Sequence, residues 1–512
     1  LSFDYYDATF GASKRKDEVI NLFSKVNSKK INLDFEIKGN AYNDYNLQLL
    51  LPQKQSSKMK LLEKADLNGD SLEDLIIGNT KGYASAIYIQ SPSGNFTKTN
   101  VKLLEKDKDY QIKDILVFDA DNDGDNDIYM AHGGYEYISN TSMLNNVLYV
   151  NNGQGDFVKN NKTIVDLSTN VSVVKSVDFD MDGNHELFIF GGVKPGAYPM
   201  ADQSYVLKKV DGQFVDVTSK IIPELNLLDG FIQDAELSDY DNDGDIDLIV
   251  LGEWMPIVLF ENKDGVFVKQ NPEELQYTNG WWNTISKVDL DKDGDDDFIL
   301  GNLGNNNKFK ATPNKPLHVF AKDFDQNGSF DVALSKSYNG ALVPLRGRDC
   351  SSQQNAFILD KAPTFKMFAN SNIEDLYGRE NIASSLHLKT YTLSTSYLIN
   401  QGEGKFVLKE LPVEAQFSPT LDFEIFDINN DGFKDIVGVG NYYDTEVETV
   451  SYDAGRGYVL LADGKGGYDY AQHSGLNLND DTRSISNVLI NQNRHIIVAP
   501  YDGKISIYKL NE

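Results

Sequence analysis

The chain is short of basic residues, of cysteine and of long apolar runs. Its 48 Lys and Arg face 77 Asp and Glu, a formal net charge of −29. A surface of that sign repels a phosphate backbone, which excludes nucleic acid as a partner. A single cysteine, Cys350, excludes an internal disulfide. A core drawn from 512 residues needs no such staple, so the compartment stays open. No stretch approaches the roughly 18–20 apolar residues of a membrane-spanning helix. The opening LSFDYYDATF lacks the basic-then-apolar pattern of a signal peptide, and Leu1 is not the cysteine of a lipoprotein start. No targeting or lipidation signal is therefore visible. Catalytic signatures are also missing: there is no HExxH, no GxSxG, and no cysteine with an evident histidine partner.

What is present is a core-forming composition, 40% hydrophobic and 11% aromatic, with the acid excess gathered into short clusters. Seven copies of one pattern recur: DLNGDSLED, DADNDGDND, DFDMDGNHE, DYDNDGDID, DLDKDGDDD, DFDQNGSFD and DINNDGFKD. They start at Asp66, Asp119, Asp178, Asp239, Asp289, Asp323 and Asp427. The first five starts lie about 50–60 residues apart, the period of a repeated supersecondary unit. A second motif keeps phase with them: YIQSPSGNF, YVNNGQGDF, LKKVDGQF, LFENKDGVF, LINQGEGKF and LLADGKGGY each read as strand, glycine turn, strand. Lacking a following helix and a GK[ST], these are hairpins rather than phosphate loops.

A strand running into the acidic loop, a second apolar strand, and a hairpin make four antiparallel strands, one propeller blade. Blade-sized units fall at 60–101, 113–160, 172–218, 232–270, 284–337, 421–471 and 485–510. The fold class is all-β, a seven-bladed β-propeller, with a count of eight left open by the broken rhythm after residue 338. A helical or irregular insertion is expected near 346–385, within 338–395. Residues 1–32 form an N-terminal segment with a short helix around KRKDEVINLFSKV, and 33–512 form one propeller domain. The strand INLDFEIKG is expected to pair with the last blade, because an open ring leaves two unpaired edges. The Asp323 copy is expected on a hairpin of the same blade as the Asp289 copy.

Oxygen-bearing residues at positions 1, 3 and 5, a main-chain carbonyl at 7 and a carboxylate at 9 wrap one hard cation. Calcium takes six to eight such oxygens. The candidate ligands are Asp66, Asn68, Asp70 and Asp74; Asp119, Asp121, Asp123 and Asp127; Asp178, Asp180, Asp182 and Glu186; Asp239, Asp241, Asp243 and Asp247; Asp289, Asp291, Asp293 and Asp297; Asp323, Asp325, Asn327 and Asp331; and Asp427, Asn429, Asp431 and Asp435. Up to seven Ca²⁺ are implied, with the Asp178 and Asp323 copies departing furthest from the rule. Magnesium wants tighter octahedral geometry, and no Cys or His sits at a ligand position for zinc.

At this point the chain resembles the FG-GAP/VCBS repeat proteins, whose calcium-loop propellers include the integrin α-subunit head. ADLNGDSLEDLIIG, GEWMP, NGWWN, GNLGNNNKF and QGEGKFVLKELPVEAQFSP resemble more closely the C-terminal half of Bacteroidota VCBS-repeat surface proteins, related to the ASPIC/UnbV and cartilage-acidic-protein group. The resemblance implies an extracellular or outer-membrane-associated location. It also implies a non-catalytic module that binds a glycan, a peptide or a surface protein, within an outer-membrane protein complex or alone. The alternatives are a polysaccharide-cleaving, lyase-type propeller using Glu253 with Arg346, Arg348 or Arg456, and a structural accessory subunit.

The acidic loops join first to second strands and so share one rim; the longer, varied connections share the other, where binding usually resides. There the candidate ligand contacts are Trp254, Trp281 and Trp282 as an aromatic platform, flanked by Glu253, Asn283, Asn302 and Asn305, or else Tyr442, Tyr443 and Arg456. Packing of the tryptophans between blades is the competing reading.

Overall fold

Apolar second strands build the architecture. DLII (Asp74–Ile77), DIYMAH (Asp127–His132), ELFIFG (Glu186–Gly191), DFILG (Asp297–Gly301) and DIVGV (Asp435–Val439) bury every residue. Both faces of such a strand must be covered, and sheets stacked around an axis do so. The computed structural model describes residues 21–138, 141–160, 163, 165–402 and 404–511. It contains seven four-stranded antiparallel blades: 62–99, 112–160, 171–216, 231–270, a split fifth, 422–470, and a seventh completed by the N-terminal side. The first strands touch in a closed circle, each blade's against the next and the seventh's against the first. Aspartates on them tie neighbours together: Asp114 accepts from Val174 N, Asp234 from Ile285 N and Asp422 from Ile485 N, at 2.9–3.0 Å. Most apolar core lies between adjacent blades, as with Phe188, Phe190, Val250 and Phe260 between the third and fourth.

Ring closure differs from expectation. The fourth strand of the last blade is Phe23–Val26, paired with Ser506–Leu510, and the expected closing segment contributes only Glu36–Ile37 against Gly503–Lys504. The last four residues of KRKDEVINLFSKV, the stretch expected to be helical, are thus a strand, and residues 14–20 lie outside the described residues. Pairing wins because the exposed edge of the last blade would otherwise keep its N–H and C=O groups unmatched.

The fifth blade is interrupted. Thr284–Val288 and Asp297–Gly301 pair with Ser396–Asn400 and Phe406–Glu410, and residues between them form a separate sheet. That sheet orders Ala341–Pro344, Asp331–Tyr338, Leu317–Lys322 and Leu386–Thr390, with five short helices between Arg348 and Ala383. The helical part agrees with the sequence reading. The insertion, however, begins soon after Gly301 rather than at 338, and the Asp323 loop belongs to the inserted sheet instead of the fifth blade. Leu317, Val319, Val332 and Leu334 of this sheet pack with Tyr135, Tyr198, Trp254, Trp281 and Tyr442, so the insertion caps the rim opposite the other six acidic loops.

Candidate metal centres and ligand groove

Each acidic loop is a tight turn made by its own first residue. Asp119 accepts from the N–H groups of Asn122, Asp123 and Gly124, and Asp66 from those of Gly69, Asp70 and Ser71. The sixth position is left-handed, with φ of 98° at Gly244 and Gly294, which explains the recurring glycine. Folding the turn this way brings carboxylates together: Asp119, Asp121 and Asp127 place oxygens within 4.8 Å of one another, as do Asp239, Asp241 and Asp247, and Asp289, Asp291 and Asp297.

The ninth residue pins the loop to the blade. Asp127 accepts from Ala120 N at 2.9 Å and Asn151 N at 2.8 Å; Asp297 accepts from Leu290 N and Asn400 N at the same distances. In the inserted sheet Asn355 Nδ2, from the residue that ends the helix Arg348–Gln354, replaces the third-strand N–H at Asp331. Burial, reinforced by the neighbouring acids, pushes these carboxyls up, Asp74, Asp127, Asp297 and Asp331 to about 6 and Asp247 to about 7. Burial followed by like charge likewise raises Asp121, Asp241 and Asp291. An all-oxygen donor set held this tightly against its own repulsion fits a hard divalent cation.

The sequence reading missed an inter-blade latch. Asn151 Nδ2 donates to Leu67 O, Asn262 Nδ2 to Phe179 O and Asn400 Nδ2 to Tyr240 O, each reaching the second residue of a neighbouring acidic loop. The signal was available, because YVNNGQG, LFENKDG and LINQGEG share that asparagine.

The third blade departs from the pattern. Lys208 Nζ bonds Asp180 and lies 2.9 Å from Asp182 and 3.4 Å from Glu186. Its hydrogen bond holds the Asp182 carboxyl down at about 2.

On the opposite rim the aromatic platform is not exposed. Trp254, Trp281 and Trp282 are fully buried, with Trp254 Nε1 donating to Tyr198 OH, Trp282 Nε1 to Thr278 O, and Trp281 wedged 5.2 Å from Trp254 and 5.1 Å from Phe309. The inserted sheet covers Trp254 and Trp281, and Trp282 packs between the fourth and fifth blades with Ile249, Leu275 and Leu398, so packing is their role. Glu253, Asn302 and Tyr442 are buried as well. Glu253 holds Lys58, Gln53 and Tyr198, and Arg346 is buried against Glu446, which removes both from any solvent-facing acid–base pair. Burial lowers His132 to about 4 and, together with Glu448, raises Cys350 to about 11, leaving both neutral at pH 7.

Asn305, Tyr443 and Arg456 remain exposed. Tyr443 lines a groove of about 640 Å³ between the N-terminal segment and the last two blades, with Tyr42, Tyr45 and Tyr501, Lys54, and Asp444, Asp480, Asp481 and Asp502. Arg456 lines a smaller cleft of about 210 Å³ with Phe417 and Tyr470. Within the groove Tyr45 OH donates to Asp444 O, Lys54 Nζ to Asn40 O, and Tyr501 OH to Asn40 O.

Two stretches of the chain, 66–130 and 239–300, match the FG-GAP-like repeat. The chain is a β-propeller that carries FG-GAP-like repeats. Solved structures similar to this propeller include the V. cholerae biofilm matrix protein Bap1, at 10% identity over 94% of this chain and 91% of that one, with a TM-score of 0.33. YCF48 from Cyanidioschyzon merolae aligns at 10% identity over 91% and 98%, TM-score 0.41, and the Dos1 propeller at 9% over 94% and 96%, TM-score 0.39. No curated protein sequence matches the chain significantly. Among the described residues no helix is long and apolar enough to cross a membrane.

Proposed function

We propose that this propeller is a non-catalytic, calcium-stabilised binding module of the cell surface that recognises a hydroxyl-rich ligand, a glycan, in the groove beside Tyr443. The observation that carries the reading is the groove's lining. Tyrosine faces stack on sugar rings, and Asp444, Asp480 and Asp502 offer acceptors to several hydroxyls at once. Its volume is that of an ordinary ligand site. The same carboxylates, on a chain of charge −29, select against polyanionic polysaccharides. Calcium belongs to this proposal because the acidic loops present converging carboxylates, and the surface location follows from the family resemblance. The test is a glycan panel probed with the wild type and with Tyr443→Ala, with product analysis of each binder. Binding of a neutral glycan, lost in the variant without a change in melting temperature and without cleavage, supports the proposal. Binding that survives Tyr443→Ala and Tyr42→Ala together, or release of shortened sugars, overturns it.

A further inference from the structure

Each of the six acidic loops in the blades faces one residue of the third strand, and strand register identifies it. Pairing of Leu187 with Leu207, Ile128 with Tyr149, Leu248 with Phe260, Phe298 with Leu398, Leu75 with Tyr88 and Ile436 with Leu460 aligns Lys208 with Val150, Glu261, Ile399, Ile89 and Leu461. Four of these six are aliphatic. Only the third and fourth blades place a charge there, and the charges are opposite.

The Lys208 ammonium lies among three carboxylates of its loop, on Asp180, 2.9 Å from Asp182 and 3.4 Å from Glu186. Those are the oxygens that calcium would need at about 2.3–2.6 Å, so ion and ammonium compete for one position. The stem is held in a strand and the side chain is only 21% exposed. Glu186 is fully buried, and the Lys208 ammonium at 3.4 Å is its charged partner. The next residue, Lys209, supplies the latch that asparagine provides in other blades, donating to Ala120 O at 2.9 Å. In the fourth blade Glu261 does the reverse: Oε2 of its carboxylate is held by Lys263 at 3.0 Å and Gln270 Nε2 at 2.8 Å, and the group brings an oxygen within 4.8 Å of Asp241 and Asp243.

We propose that Lys208 is a tethered cation that fills the third-blade loop in place of a metal ion, while Glu261 adds a carboxylate to the fourth-blade loop and makes it the tightest ion site of the ring. This rests on the reading that the other loops take calcium. The repeat thereby grades its loops by one third-strand residue, from self-filled to ordinary to reinforced.

The test is calcium counting by equilibrium dialysis and elemental analysis on the full chain. Wild type is expected to bind one ion fewer than its number of acidic loops, and Lys208→Val to gain one. Asp180→Asn should leave the wild-type count unchanged while lowering the melting temperature even in EDTA, a measurement that stands if Lys208→Val fails to fold. Glu261→Val should weaken the tightest site at least tenfold. An unchanged count in Lys208→Val, or a count lowered by one in Asp180→Asn, overturns the proposal. A count of zero in wild type and variant alike overturns the calcium reading as well, which separates the two failures.

Discussion

On the proposed calcium reading, removing the ion should reverse the sign of the pH dependence of stability. In the ion-free protein the ninth-position carboxyls titrate high, at about 6 for Asp74, Asp127, Asp297 and Asp331 and about 7 for Asp247, because burial outweighs the N–H groups they accept from. In the unfolded chain they titrate near 4. The folded state therefore binds more protons than the unfolded state between about pH 4 and pH 7. The stabilisation is complete below the unfolded value and is lost as pH rises through the folded one. A shift of two units corresponds to about 3 kcal/mol per carboxyl. The sites are coupled within each loop, so the sum is smaller than five such terms, yet even one third of it exceeds the error of a melting curve. With calcium bound the same groups are held deprotonated, and acid then expels the ion, so stability rises with pH across this window. The assay is calorimetric melting in EDTA and in millimolar calcium at pH 5, 6, 7 and 8. Slopes of opposite sign are expected. Melting temperatures that fall with acid in both conditions would refute the argument, since the ninth carboxyls would then not be paying a burial cost that the ion relieves.

Two further outcomes follow from packing. Asn400→Ala removes the 2.7 Å bond to Tyr240 O and leaves a buried carbonyl unmatched, so urea unfolding should show a loss of about 1–3 kcal/mol with or without calcium. Trp281→Ala empties the contact between the fourth blade and the insertion and should cost about 3–5 kcal/mol, with limited proteolysis within 302–395 as the first visible consequence.

Much of the fold could be read from the chain because its repeat is local. The bonds that the first residue of each acidic loop accepts, such as Asp239 from Asp243 N and Gly244 N, join residues five apart or fewer, so the motif alone specifies the turn. The blades' second strands were equally plain, being apolar runs that begin at the ninth position. What escaped was long-range pairing. LHVFAK after Asn314 looks like the third strand of the fifth blade, whereas the true partner of Asp297–Gly301 is Ser396–Asn400. Strand propensity cannot choose between two apolar segments; the asparagine of LINQGEG can, because only a third strand needs the latch to Tyr240 O. The closing strand escaped for the same reason, since FSKV is an edge by pairing rather than by pattern.

The tryptophans show how one error of topology becomes an error of function. Seen as loop residues on an open rim they suggest a platform, and the variety of that rim's loops suggests an asymmetric ligand. The insertion accounts for much of the variety. Its sheet lies over Trp254, Trp281 and Tyr198, and the N-terminal segment is tied beneath it by Gln48 Nε2 to Phe330 O at 2.6 Å and by Gln53 to Glu253. Long connections on this side are thus needed to seat a lid against the aromatic residues of several blades. The lid's reach also determines where a ligand can go. Beyond it, between residues 39–45 and the last two blades, Tyr443 is 40% exposed and the carboxylates of Asp480 and Asp502 face solvent. The asymmetry of the ring therefore comes from one insertion, which covers part of the rim with aromatic packing and leaves the groove beside the last two blades, with its tyrosines and acids, as the surface available for recognition.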